Sequence, residues 1–236
     1  MGIDTEKAAF LAQSDIFCHL PEAEVGELER VTSALVCPPG RILYRPGEAG
    51  SMLFLVQAGC VQLYHLSTDG RKLITATLEM GGCFGELPLT GQRVYNSFAE
   101  TTADTCLYMI HHQDIEQLLA RRPEVALALL RVLGQRLAQV ETQLVDTTFK
   151  SAAARLARLL LDLAQPGGDG IAGTVIEGLS HEALADRLGV YRETVSTALR
   201  ELKDVGAIEP ARKHITIRDA ARLREAAEMA GKNWRV

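Results

Sequence analysis

Five polar side chains fall on one face of a short amphipathic stretch toward the end of the chain. In RETVSTALRELKD, Val195, Leu199 and Leu202 recur at helical spacing and would turn inward, leaving Arg192, Glu193, Ser196, Thr197 and Arg200 outward. That outward set carries the chemistry that base edges ask for. A planar guanidinium donates two bonds to guanine, a carboxylate accepts from the amino group of cytosine, and small hydroxyls serve either role. Just upstream, HEALADRLG places Leu184 and Leu188 one turn apart before Gly189 stops the helix. Two short helices joined by so tight a turn match the helix-turn-helix, whose second helix reads a DNA groove with its N-terminal residues. On spacing alone, a plain helical hairpin with a solvated outer face is the other reading.

The rest of the chain bears on that choice. With 236 residues, it is long enough for two modest domains, and 47% of its residues are hydrophobic. The formal charge of −5 is unevenly spread: residues 1–149 hold 11 Lys/Arg against 18 Asp/Glu, whereas residues 150–236 hold 14 against 12. The basic excess lies where the helix-turn-helix lies, as a local nucleic-acid patch requires. No apolar run reaches the length of a membrane span, and the opening MGIDTEKAAF is charged. A cytoplasmic protein with no membrane partner is therefore expected. Cys18, Cys37, Cys60, Cys83 and Cys106 stand singly without CxxC spacing, which points to reduced, packed thiols and to no metal site. No nucleophile–base pair, P-loop or metal-spaced ligand set occurs, so an enzyme is not expected.

Several elements must position the reading residues. Residues 6–30 alternate apolar and acidic positions in a helical manner, with Pro21 at a helix start. Between Val31 and Ile110 the period shortens to that of strands, as in RILY, MLFLVQ, VQLYHL, KLITATL and CLYMI, separated by glycine-rich corners. Asp69–Gly70 marks a hairpin. An antiparallel sandwich or barrel follows. Over 114–145, Ala126, Leu130, Leu133, Leu137, Val140 and Leu144 alternate spacings of four and three, a heptad seam suited to a parallel partner helix in a homodimer. SAAARLARLLLDLAQ reads as a further helix, PGGDGIAG as a loop, and TVIEG as a short strand. GAIEPARKHITIRD reads as a two-strand wing with a basic tip at Arg212, Lys213 and His214.

Taken together, these segments resemble the CRP/FNR transcription regulators over about residues 10–218. The resemblance rests on PPGRILYRPGEAGSMLFLVQAGCVQLYHLSTDGRKLITATLEMGGCFGEL, similar to the family's cyclic-nucleotide-binding β-roll, followed by the long helix and GVYRETVSTALRELKDVGAI. It implies an α+β fold in three parts: a β-roll effector-type domain (1–113), a dimerisation helix (114–146) and a winged helix-turn-helix (147–236). It also implies a homodimer, with Leu130, Leu133, Leu137, Val140 and Leu144 at the interface, reading a near-palindromic promoter site and activating through RNA polymerase. Arg192 and Glu193 match the family's reading pair, and Ser196 matches the FNR branch. Thr197 replaces a second arginine, with Arg200 one turn later available to a phosphate. Tyr191 stands where a small capping hydroxyl is usual, and two placements are open for its ring: against a phosphate or against the wing. The loop over 166–173 is the candidate polymerase contact.

The effector is less well specified. In the family's cyclic-AMP binders, a glutamate of an FGEL-type turn holds the ribose, an Arg–Ser pair the phosphate, and a Thr–Ser pair on the long helix the base. Glu86 preserves the first, while Val94 and Tyr95 stand at the second, with Arg93 one residue away. Val140 and Glu141 stand at the third. One part in three argues against cyclic AMP, and no cofactor is assigned. Glu86 and Arg93 remain the candidate ligand-binding residues. A sensory module acting through protein partners instead of DNA is the competing function.

Overall fold

The computed structural model of the chain describes residues 3–86, 89, 91, 94–164, 172–211 and 214–229. They cluster into two compact units, Met1–His65 with Thr75–Leu137, and Leu66–Ile74 with Ala138–Val236. In chain order the first part holds α1 (Ile3–Gln13), α2 (Glu22–Val31), β1 (Ser33–Cys37), β2 (Ile42–Tyr44), β3 (Met52–Ala58), β4 (Val61–Leu66), β5 (Lys72–Leu78), β6 (Cys83–Phe84), β7 (Phe98–Thr101), β8 (Thr105–His111), α3 (His112–Arg121) and α4 (Pro123–Phe149). Two four-stranded sheets result, ordered β1-β8-β3-β6 and β2-β7-β4-β5.

Strand alternation explains how the sheets pack. On β3, Phe54 and Val56 face the second sheet, meeting Tyr44, Leu63, Phe84 and Ala99 in one core. Leu53 and Leu55 point the other way, onto Leu11, Phe17, Ile115 and Val125 of the flanking helices. A strand buried on both faces reads as an unbroken apolar run, and MLFLV does so. The α+β roll read from the sequence is therefore present, with β1, β6 and β7 added to the strands it identified.

Two helical tracts are interrupted where the sequence suggested continuity. The tract over 6–30 divides into α1 and α2. The Ser14 hydroxyl, accepting from the Phe17 amide at 3.3 Å, turns the chain, and Pro21 restarts it from an extended conformation. The tract from 114 breaks at Arg122, whose φ of −133° and ψ of 81° obey the restriction on a residue preceding proline. Pro123 then supplies the first position of α4, where a missing N–H costs nothing. This helix also runs on through Asp146-Thr147-Thr148 to Phe149. Thr148 returns its hydroxyl to the Leu144 carbonyl at 2.8 Å, and Lys150 pairs with Asp146 at 3.0 Å.

The second part contains α5 (Ala152–Ala164), β9 (Val175–Glu177), α6 (His181–Leu188), α7 (Arg192–Asp204), β10 (Ile208–Ala211), β11 (His214–Ile217) and α8 (Ala220–Glu228). Its sheet is ordered β10-β11-β9, so TVIEG joins the wing as a third strand. Leu156, Leu160, Leu184, Val195, Leu202 and Leu223 are fully or almost fully buried in a single core. No helix among the described residues is long and apolar enough to cross a membrane.

Candidate functional site

The turn between α6 and α7 is built by local rules. Ser180 caps α6, its hydroxyl accepting from the Ala183 amide at 3.0 Å. Gly189 ends the helix in the left-handed region at φ 64°, as a C-terminal glycine does at low cost. The chain then reverses through Val190 and re-enters helix at Arg192. Val195, Ala198, Leu199 and Leu202 anchor α7 in the core. That anchoring fixes what is left outside: Arg192, Glu193, Thr197 and Arg200 are exposed, and Ser196 is half-buried. Among the described residues, Arg192, Glu193 and Arg200 have no ion-pair partner, so their charges are free to meet a ligand.

Behind this face lies a groove of about 300 Å³ lined by Ser180, His181, Arg192, Pro210, Ala211 and Ile215 among others. Of these lining residues, His181 places Nδ1 3.0 Å from the Ser196 hydroxyl, which also reaches the Arg192 carbonyl at 3.2 Å. His181 was not among the residues singled out from sequence. A lone imidazole in the first turn of a helix carries no periodic signal, and only the packing of α6 against α7 reveals its partner. Arg212 and Lys213, expected at the wing tip, lie outside the described residues, as does the loop over 166–171.

Among the described residues, Tyr191 makes its contacts with Asp69 and Arg71 and not with the wing. Within the second compact unit its phenol donates to Asp69 Oδ2 at 2.8 Å, and the Arg71 guanidinium lies 4.7 Å above its ring. Arg71 Nε in turn donates to the same Asp69 oxygen at 2.9 Å. Hydrogen bonds from Ser67 and then Tyr191 hold the Asp69 carboxyl well below the usual carboxylate range, while that same bond from Tyr191 raises its phenol. The backbone of Tyr191 still serves as the N-terminal boundary of α7, without a side-chain cap.

The second site lies in the roll. Gly85 is required at its turn: φ is 85°, and a Cβ there would stand 2.5 Å from the Met52 carbonyl. The turn carries Glu86 inward until it is only 5% exposed. Arg136 of α4 pairs with Glu86 Oε1 and donates to the Cys83 carbonyl at 2.6 Å. Glu86 Oε2 is buried with no hydrogen-bond partner among the described residues. One acceptor therefore remains for a hydroxyl or amino donor. The phosphate end does not match as well. Tyr95 is buried, stacked on Tyr44 at 3.7 Å, with its hydroxyl donating to the Met52 carbonyl at 3.2 Å. Val94 is exposed, and Arg93 lies outside the described residues. Arg136, like His181, escaped the sequence reading, because a charged residue on an amphipathic helix looks solvated until its partner 50 residues away is placed.

A third feature is a surface. Leu130, Leu137, Val140 and Leu144 are exposed at 61%, 60%, 43% and 67%, and Leu133 is half-exposed beside them. Five apolar side chains at heptad spacing thus form an uncovered stripe along α4.

Comparison with known proteins agrees with this architecture. The family described as cyclic nucleotide-binding domain matches residues 35–122, and that described as Crp-like helix-turn-helix domain matches residues 154–226. The chain is 30% identical over 219 residues to a CRP-like cAMP-activated global transcriptional regulator of Mycobacterium tuberculosis, covering 92% of this chain and 98% of the relative. It is 32% identical to the cyclic AMP receptor protein of Thermus thermophilus, over 80% of this chain and 86% of that one. Among solved structures, FixK2 from Bradyrhizobium japonicum superposes with a TM-score of 0.69 at 25% identity, covering 85% of this chain and all of the other.

Proposed function

The chain belongs to the CRP/FNR family of transcription regulators, and on that premise we propose that it acts as a homodimer reading a near-palindromic promoter site. Each protomer presents α7 to one half-site, about one helical turn of DNA from its partner. Arg192 donates to a guanine, Glu193 accepts from an amino group, Arg200 meets the phosphates, and Arg212 and Lys213 extend the contact from the wing. The observation that carries this reading is the first turn of α7, where exposed charges with no ion-pair partner among the described residues stand on a helix locked by its inner face. The heptad stripe supports a parallel dimer, since an isolated chain would leave five large apolar residues in water.

Activation through RNA polymerase is part of the same proposal and rests on family membership. The effector is left unassigned. Two relatives are named for cyclic AMP, but among the described residues Glu86 is the one member of the three-part set that binds it to be present. Pairing of that carboxylate with Arg136 supports a largely structural role for it.

The test combines assembly with DNA binding. Wild type is expected to sediment as a dimer and to bind palindromic duplexes, with affinity that falls steeply as salt rises. Leu137→Glu should yield monomers and lose about 100-fold or more in affinity, because the second half-site contact is no longer tethered. A dimeric Leu137→Glu protein would refute the stripe as the interface. Duplex binding insensitive to salt would refute the DNA reading itself.

A further inference from the structure

We infer that His181 sets the reading specificity of Ser196, making its hydroxyl an acceptor that selects a base with an exocyclic amino group. This rests on α7 being the DNA-reading helix and deepens that reading. A serine hydroxyl has one proton and two lone pairs. Its oxygen lies 3.2 Å from the Arg192 carbonyl and 3.0 Å from His181 Nδ1. A carbonyl can only accept, so the contact with Arg192 is a hydrogen bond only if Ser196 donates its single proton there. Ser196 must then accept from His181, which places a proton on Nδ1. The opposite assignment, in which Ser196 donates to the ring, turns its contact with the Arg192 carbonyl into a meeting of two lone pairs.

With its proton committed and one lone pair occupied, the hydroxyl has a single lone pair left to offer. In the major groove that lone pair is satisfied by adenine N6 or cytosine N4, whereas thymine O4 and guanine O6 offer only acceptors. Serine alone is an ambiguous reader, because its hydroxyl rotates to suit either kind of group. His181 removes the ambiguity without touching the base, so it is a positioning residue. Both side chains lie at the accessible outer end of the helix pair, with His181 exposed and Ser196 half-buried, so substitutions there leave the core intact.

The experiment uses the full-length chain and palindromic duplexes selected from random-sequence DNA by the wild type. One half-site is then varied through all four base pairs at each position. Ser196→Ala should flatten the preference at one base pair, losing about three- to tenfold discrimination, the worth of one hydrogen bond. His181→Phe should flatten the same position and no other. His181→Asn, whose amide nitrogen occupies the place of Nδ1, should restore it, and the preferred base there should be adenine or cytosine. A uniform loss across all positions in His181→Phe would instead make the residue a phosphate contact and overturn the inference. So would a retained preference, or a preferred thymine or guanine. Arg192→Ala, run in parallel, separates the two levels. If it leaves all binding unchanged, α7 is not the reader and the inference falls with that reading. If it weakens binding while Ser196→Ala changes nothing, only the role of His181 and Ser196 is lost.

Discussion

Replacing Arg136 by methionine should destabilise the roll by about 3–5 kcal/mol, the usual cost of leaving a buried charge without its partner. Glu86 is 5% exposed, and one of its oxygens already has no partner among the described residues. Arg136→Met keeps most of the aliphatic stem, so the loss would come from the carboxylate and from the Cys83 carbonyl, which also accepts from Arg136. In urea the midpoint of the roll's transition should fall by about 1–3 M, given typical denaturant slopes for small domains. The double variant Glu86→Gln/Arg136→Met should recover most of the loss, because no buried charge remains. Unfolding of Arg136→Met at the wild-type urea concentration would mean that the pair contributes nothing.

Arg192→Ala should act on binding and leave stability alone. The side chain is exposed and has no ion-pair partner among the described residues, so its removal costs the fold nothing that the contacts record. On DNA, loss of a bidentate contact to guanine costs about 1–3 kcal/mol per half-site, about five- to 150-fold. A symmetric dimer loses it twice. Preference should relax at one base pair in each half-site, while the slope of affinity against salt changes little. Arg200→Ala should show the opposite pattern if Arg200 meets phosphate, weakening all sequences alike and lowering the salt slope by about one. Fluorescence anisotropy at several salt concentrations distinguishes the two. An unchanged affinity for Arg192→Ala would remove the central residue of the proposed interface.

The parts of this molecule that were readable in advance are those governed by neighbours in sequence. The helix-turn-helix declares itself through Val195, Leu199 and Leu202 at helical spacing and a glycine at the stop. The heptad stripe is likewise a periodic signal, and so are the apolar runs of the roll. The features that escaped are pairings across long separations. Arg136 meets Glu86 across 50 residues, Tyr191 meets Asp69 across 122, and His181 meets Ser196 across 15. Each joins side chains whose types are ordinary at their own positions, so nothing local marks them. The break at Arg122 was a different kind of miss. Pro123 announces it directly, but the seam that follows was strong enough to be read through it.

The placement of the cysteines has a practical consequence. Cys83 is 4% exposed, and burial raises its thiol far above the ordinary value; Cys37 is 3% exposed. Because the thiolate is the reacting species, Cys83 should stay silent toward an alkylating reagent while the roll is closed, even as the exposed Cys18 is modified. It lies in the segment whose carbonyl accepts from Arg136, so its labelling rate times the opening of that turn. The native chain thus carries its own clock for local unfolding at the roll's inner turn, readable by mass spectrometry without an added probe.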